Sequence, residues 1–101
     1  MSMLPSELVV GIAWYRPGSY ERVVALMADG ASFPKTHASW RQKAGRMERE
    51  IQRQGSRTVR IEIEPEVFLP WCEGRGLAPD SSARAVYVSE EARAREEGPA
   101  T

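Results

Sequence analysis

The chain has 101 residues, of which 42% are hydrophobic and 28% charged, with equal numbers of acidic and basic side chains. This composition is typical of one globular domain and excludes a disordered chain, and the single cysteine excludes an intramolecular disulfide. The longest apolar run is shorter than the roughly 20 residues of a membrane helix, and the opening residues lack the regions of a signal peptide. We therefore expect one cytoplasmic domain over residues 1–101 with no membrane partner, an ordered core over residues 7–91 and a frayed tail over residues 92–101.

The charges are unevenly distributed along the chain. Residues 35–60 carry eight basic and two acidic side chains, whereas residues 61–101 carry four basic and nine acidic ones. This asymmetry predicts a basic region that pairs with the acidic half, within one chain or across a dimer, or that meets an acidic partner.

The first predicted element is a strand over residues 8–15, because LVVGIAWY is a continuous run rich in β-branched and aromatic residues. Pro17 suits the first turn of a following helix. That helix has an apolar stripe at spacings of three and four residues, made by Tyr20, Val23, Val24 and Met27. Asp29 and Gly30 are expected to end it.

A long helix is predicted over residues 36–54, with Thr36 as its N-cap and Gly55 as its stop. Its predicted inner face consists of Trp40, Ala44, Met47 and Ile51. The sequence RTVRIEIE over residues 57–64 alternates between apolar and polar side chains, which predicts a strand with one exposed face.

Two further helices are predicted after the second strand. Pro65 is expected to open a short helix that carries Cys72, and Pro70 to delay or bend it because proline removes one backbone hydrogen bond. Asp80 or Ser81 is expected to cap the last helix. Its predicted inward residues are Ala83, Val86 and Tyr87.

The predicted fold class is α+β, with two strands and four helices in the order β-α-α-β-α-α. A two-stranded sheet is marginal unless helices cover it or another chain extends it, and an apolar strand with a bare edge invites pairing. We therefore expect a homodimer in which the edges of strand 8–15 extend the sheet, with complete coverage by the four helices as the alternative.

Cys72 and His37 are the side chains that a thiol enzyme would need. Cys72 lies toward the end of its predicted helix and next to Glu73, and both features disfavour a thiolate. A buried, unreactive cysteine is the preferred interpretation, and a Cys72–His37 enzyme is a remote alternative.

No catalytic residue, metal site or cofactor is predicted. Glu62, Glu64 and Glu66 are close in sequence, but the first two fall on the polar face of the predicted strand, where glutamates are ordinarily solvated. The chain also lacks a phosphate-binding P-loop, a dinucleotide-binding glycine motif and a G-x-S-x-G motif.

The predicted long helix carries basic side chains at helical spacing, which are Lys43, Arg46, Arg49 and Arg53. Such a stripe is suited to phosphate or to an acidic partner. The presence of Glu50 on the same face and the zero net charge of the chain favour a solvated or protein-paired face over nucleic acid.

Trp14 and Tyr15 are the candidate interface residues. They lie at the end of the first strand, directly before a Pro-Gly turn, and aromatic side chains dominate the energetics of protein interfaces. Trp40 and Trp71 are expected in the core instead.

The sequences VGIAWYRPGSYERV, RIEIEPEVFLPWCEGRGL and SARAVY, together with Trp40, form a pattern over about residues 8–88. The pattern resembles a group of small bacterial proteins with an IAWY opening strand, an F-x-x-WC-x-x-RG segment and an AR-x-x-Y closing helix. The resemblance implies a bacterial source and one domain. It carries no known activity, so it transfers no functional residue, and Pro70 stands where a helix former is usual.

The preferred functional hypothesis is a non-enzymatic protein–protein interaction module that forms a homodimer. The alternative is a nucleic-acid-binding accessory protein that uses the basic helix 36–54. These hypotheses differ in whether nucleic acid is bound and in whether binding weakens steeply with salt.

Overall fold

The computed structural model describes the backbone of residues 9–97 and the side chains of residues 9–95. It has two strands, β1 (Val9–Trp14) and β2 (Arg57–Glu62), and four α-helices. The helices are α1 (Tyr20–Leu26), α2 (His37–Arg53), α3 (Pro65–Gly74) and α4 (Ser81–Glu97). The order β-α-α-β-α-α and the α+β class are those predicted from the sequence.

The two strands pair in parallel, with Val9 opposite Arg57 and Trp14 opposite Glu62. Successive side chains of a strand point to opposite faces. On one face Gly11 approaches the backbone of α4; on the other, Arg60 and Thr58 bond to Glu48 and Gln52 of α2. The sheet therefore lies between α2 and α4.

The ends of α2 follow the sequence signals. The Thr36 hydroxyl accepts a hydrogen bond from the Ser39 N–H at 3.1 Å, so Thr36 is the N-cap as predicted. Gly55 has a φ of 101°, a conformation that glycine adopts without strain, and the chain turns there into β2. At the start of α4, Asp80 rather than Ser81 is the cap, because its carboxylate accepts from the Ala83 N–H at 3.0 Å.

The core lies between the sheet and the helices and contains Val23, Ile61, Ile63, Phe68 and Cys72 as some of its most deeply buried members. Ile61 and Ile63 lie inside, while Arg60 and Glu62 are exposed, as the alternating pattern predicted. Hydrophobic burial on this side anchors β2.

Several sequence predictions about the helices are wrong. Met47 and Val86 are 50% and 42% exposed, so neither belongs to an inner face. The first helix ends at Leu26, before Asp29 and Gly30, and Gly30 starts a short 3₁₀ turn.

The last two helices also differ from the sequence predictions. Pro70 lies inside α3, which begins at Pro65 without the expected delay. Helix α4 continues to Glu97, because Ala92 is buried against β1 beside Gly11. The predicted frayed tail over residues 92–101 thus begins inside α4, and residues 98–101 lie outside the described residues.

Candidate functional site

The edge of β1 that faces away from β2 has no strand partner among residues 9–97. A cavity of about 470 Å³ lies beside β1. Two β1 residues, Ile12 and Ala13, line the cavity and no β2 residue does, which places it at the open edge. Its α2 wall is largely apolar and includes Trp40, Ala44 and Met47. We refer to this region as the edge cavity.

An ion pair forms the wall of the edge cavity opposite α2. The Arg84 guanidinium donates two hydrogen bonds to the Asp29 carboxylate, at 2.9 and 2.7 Å, and also lies over the Phe33 ring. The side chains of Arg84 and Asp29 are only 11% and 28% exposed. The hydrogen bond from Arg84 holds the pKa of Asp29 below its usual value. Burial raises the pKa of the neighbouring Tyr15 to about 12, so its phenol stays neutral at pH 7.

The Asp29–Arg84 pair predicts an acid-sensitive component of stability. Because the pKa of Asp29 is lower in the folded state, the stabilisation is complete above the unfolded value of 3.8 and is lost as the pH falls through the folded value. We expect D29N to be less stable at pH 7 by about 1–3 kcal/mol, since Arg84 loses a charged partner. D29N should also lose less stability than the wild type below about pH 4. Urea unfolding between pH 7 and 3 measures both effects.

The control for this prediction is E90Q, which removes an exposed ion pair with Arg75. Exposed pairs are screened by solvent, so E90Q should follow the wild-type curve. Parallel pH curves for D29N and the wild type would contradict the role given to Asp29.

The two candidate interface residues lie in different environments. The Tyr15 ring is 3% exposed and packs in the core, with its centroid 5.0 Å from that of Trp40 and 5.7 Å from that of Phe33. The segments after α1 fold over this ring, and the small exposed part of Tyr15 lines the edge cavity. Trp14 is half-buried, and the Arg60 and Arg41 guanidinium carbons lie 3.9 and 4.9 Å from the centre of its ring.

The predicted basic side chains of α2 are all exposed; these are Lys43, Arg46, Arg49 and Arg53. Arg53 pairs with Glu50 at 3.0 Å. Lys43, Arg46 and Arg49 form no ion pair with any described residue. We refer to the four as the basic face.

Arg41 lies next to the basic face, although the sequence pattern did not identify it as a site residue. Its guanidinium and that of Arg49 both approach Gly45, and both lower the pKa of Glu48, although the hydrogen bond from Arg60 has the larger effect. The sequence signal that could have identified Arg41 is its spacing, because Arg41 and Arg49 each lie four residues from Gly45 in a predicted helix.

Cys72 and His37 are engaged separately. Cys72 is 2% exposed in the core, and burial, with a smaller effect of the Asp80 charge, raises the pKa of its thiol. The His37 Nε2–H donates to the Tyr15 carbonyl at 2.8 Å, and the ring packs against Tyr20. No hydrogen bond joins Cys72 and His37, and the raised pKa opposes formation of a thiolate.

The strand-end carboxylates are paired on the surface. Arg16 contacts both Glu62 and Glu64, and Arg22 contacts Glu66. Over the described part of the chain, no group of three or more His, Cys, Asp or Glu side chains could hold a metal ion. Among the helices of residues 9–97, none has the length and apolar character needed to cross a membrane.

No family model matches the chain, and no curated protein or solved structure is significantly similar to it. The resemblance to small bacterial proteins therefore receives no support from these comparisons.

Proposed function

We propose that the protein is a non-enzymatic protein–protein interaction module that forms a homodimer through the open edge of β1. The observation that carries the proposal is the absence of a strand beside this edge among the described residues, next to the edge cavity. Unpaired backbone N–H and C=O groups of an edge strand are a template for another strand. A second copy of β1 related by a twofold axis supplies such a strand and buries the same surface on both copies.

Met47 adds an apolar contact at this edge. It lines the edge cavity and is 50% exposed, although it lies in the middle of α2. Methionine is flexible and polarisable, and it adapts well to a partner surface. In the proposed dimer Met47 packs against the second copy, which accounts for its exposure in one chain.

The oligomeric state tests this proposal. We expect the wild type to be a dimer by light scattering coupled to size exclusion, and M47E to be largely monomeric because it places a charge in the interface. The matched control is V67E, which changes an equally exposed valine (53%) on α3 that does not line the edge cavity. A wild type that is monomeric at about 100 µM, a concentration at which even weak dimers form, would contradict the proposal. Equal dissociation of both variants would also contradict it.

The second candidate function is nucleic-acid binding by the basic face. It is supported by the exposure of Lys43, Arg46 and Arg49 without an ion-pair partner among the described residues. In this case affinity for an oligonucleotide falls steeply with salt, since counterions are released from the phosphates. A salt series of fluorescence anisotropy separates this function from the first one, which needs no nucleic acid.

We further propose a cytoplasmic location. The support is the single cysteine, which is unpaired and buried, since chains of this size that work in oxidising compartments commonly depend on disulfides.

A further inference from the structure

We propose that the outer face of α2 contains a site for a phosphate group, formed by Arg41 and Arg49 on either side of Gly45. The site goes beyond dimer formation and is independent of it. Gly45 and Arg49 line a groove of about 510 Å³, whereas Ala44 and Met47 of the same helix line the edge cavity.

Gly45 lies between the two arginines on the surface of α2. The Nη1 atoms of Arg41 and Arg49 each lie 3.4 Å from the position that a Cβ on Gly45 would occupy. The two guanidinium groups are therefore close enough for the oxygens of one tetrahedral anion to accept hydrogen bonds from both. Ser39 and Gln42 also line the groove and offer a hydroxyl and an amide as further donors.

Neither arginine of the groove forms an ion pair with a carboxylate among the described residues. Glu48 is the carboxylate whose pKa both arginines affect, but its two oxygens already accept from Arg60 at 2.8 and 2.9 Å. Two positive guanidinium groups held close together without a carboxylate between them favour the binding of an anion. A dianionic phosphate with several acceptor oxygens satisfies both guanidinium groups, which chloride cannot do.

Two further features prepare the site. Arg41 stacks over Trp14, with its guanidinium carbon 4.9 Å from the ring centre, so its position is restrained before an anion arrives. Gly45 has no side chain, so the backbone of α2 bounds the groove between Arg41 and Arg49.

The first experiment is an NMR titration of the full-length protein with inorganic phosphate, compared with chloride at equal ionic strength. The reporters are the Trp14 indole N–H and the Gly45 amide. We expect saturable shifts with phosphate alone. R41Q and R49Q should each weaken binding about tenfold, the loss of a charge-assisted hydrogen bond. The control R93Q removes the same charge from an exposed position on α4, outside the groove, and should change affinity less than about twofold.

A second variant tests the same site without removing either arginine. G45E places a carboxylate between the two guanidinium groups on a helix that tolerates glutamate better than glycine. We expect G45E to stay folded by circular dichroism and to lose phosphate binding. Equal shifts with chloride, or equal weakening by R93Q and R49Q, would overturn the proposal.

A labelled single-stranded oligonucleotide identifies the source of the phosphate. If it binds, and binding depends on Arg41 and Arg49, the ligand is a nucleic-acid backbone. If inorganic phosphate binds and the oligonucleotide does not, the ligand is a small phosphorylated molecule. Failure of both probes would overturn the site, whereas the dimer proposal would be unaffected.

Discussion

Replacement of Gly11 by valine is expected to destabilise the fold by about 3 kcal/mol or more, because β1 and α4 touch at this position without room for a side chain. A Cβ on Gly11 would lie 2.3 Å from the Val88 carbonyl oxygen and 2.9 Å from its carbon. These are backbone atoms inside a helix, so they cannot rotate away as a side chain would. The helix as a whole must move, and the packing of Ala92 moves with it.

Valine is otherwise a favourable strand residue, and its β-propensity would by itself stabilise β1. The sign of the measured change therefore separates local propensity from tertiary packing. Urea unfolding followed by circular dichroism gives the free energy of unfolding. The control is G74A, since a Cβ on Gly74 meets nothing within 4 Å and alanine is expected to be neutral or slightly stabilising. A G11V protein as stable as the wild type would show that α4 does not pack on β1.

Phe68→Ala is expected to destabilise the protein by about 3–5 kcal/mol, a large share of the roughly 5–15 kcal/mol by which a domain is stable. The Phe68 side chain is fully buried. Its ring stacks on Trp71 at 5.9 Å and meets the Tyr87 ring edge-on at 5.3 Å, so it joins α3 to α4. Alanine leaves a cavity that these rings can fill only in part.

The control for F68A is V67A, which changes the neighbouring residue in α3. Val67 is 53% exposed, and V67A should change the free energy of unfolding by less than about 0.5–1 kcal/mol. The near-ultraviolet circular dichroism of the folded protein gives a second measurement, because loss of the ring that stacks on Trp71 should alter the summed aromatic signal. Equal destabilisation by F68A and V67A would contradict the position of Phe68 at the centre of the core.

The parts of the fold that were predictable are those that local physics determines. The alternation of apolar and polar residues in β2 predicted that Ile61 points inward. The capping preference of threonine predicted that Thr36 is the N-cap of α2. The order of elements followed from the period of the apolar residues.

The predictions that were wrong depend on contacts between distant segments. Periodicity identifies the direction of a helix's apolar face but not how wide the buried part of that face is. Met47 was therefore predicted inside, although in the structure it lines the edge cavity and is half exposed. Tyr15 looked accessible at a strand end because nothing local shows that Phe33 and Trp40 surround it. The continuation of α4 through Ala92 depends in the same way on Gly11.

The phosphate site illustrates the same limit. The sequence predicted a basic stripe on α2, but Arg60 comes from β2 and occupies both oxygens of Glu48. Only this long-range bond leaves Arg41 and Arg49 without a carboxylate partner among the described residues. Arg49 was predictable as part of the basic stripe, whereas the role of Arg41 and the pairing of Glu48 with Arg60 were not.

The parallel pairing of β1 with β2 has a consequence for synthesis on the ribosome. Val9 pairs with Arg57, so about 48 residues are translated between them, which takes roughly 2–10 s at typical elongation rates. During this interval the nascent β1 has neither β2 nor α4 to cover it, and the apolar sequence VVGIAW stays accessible to other chains. Chaperone dependence of the yield should therefore be greatest for variants that slow the arrival of β2.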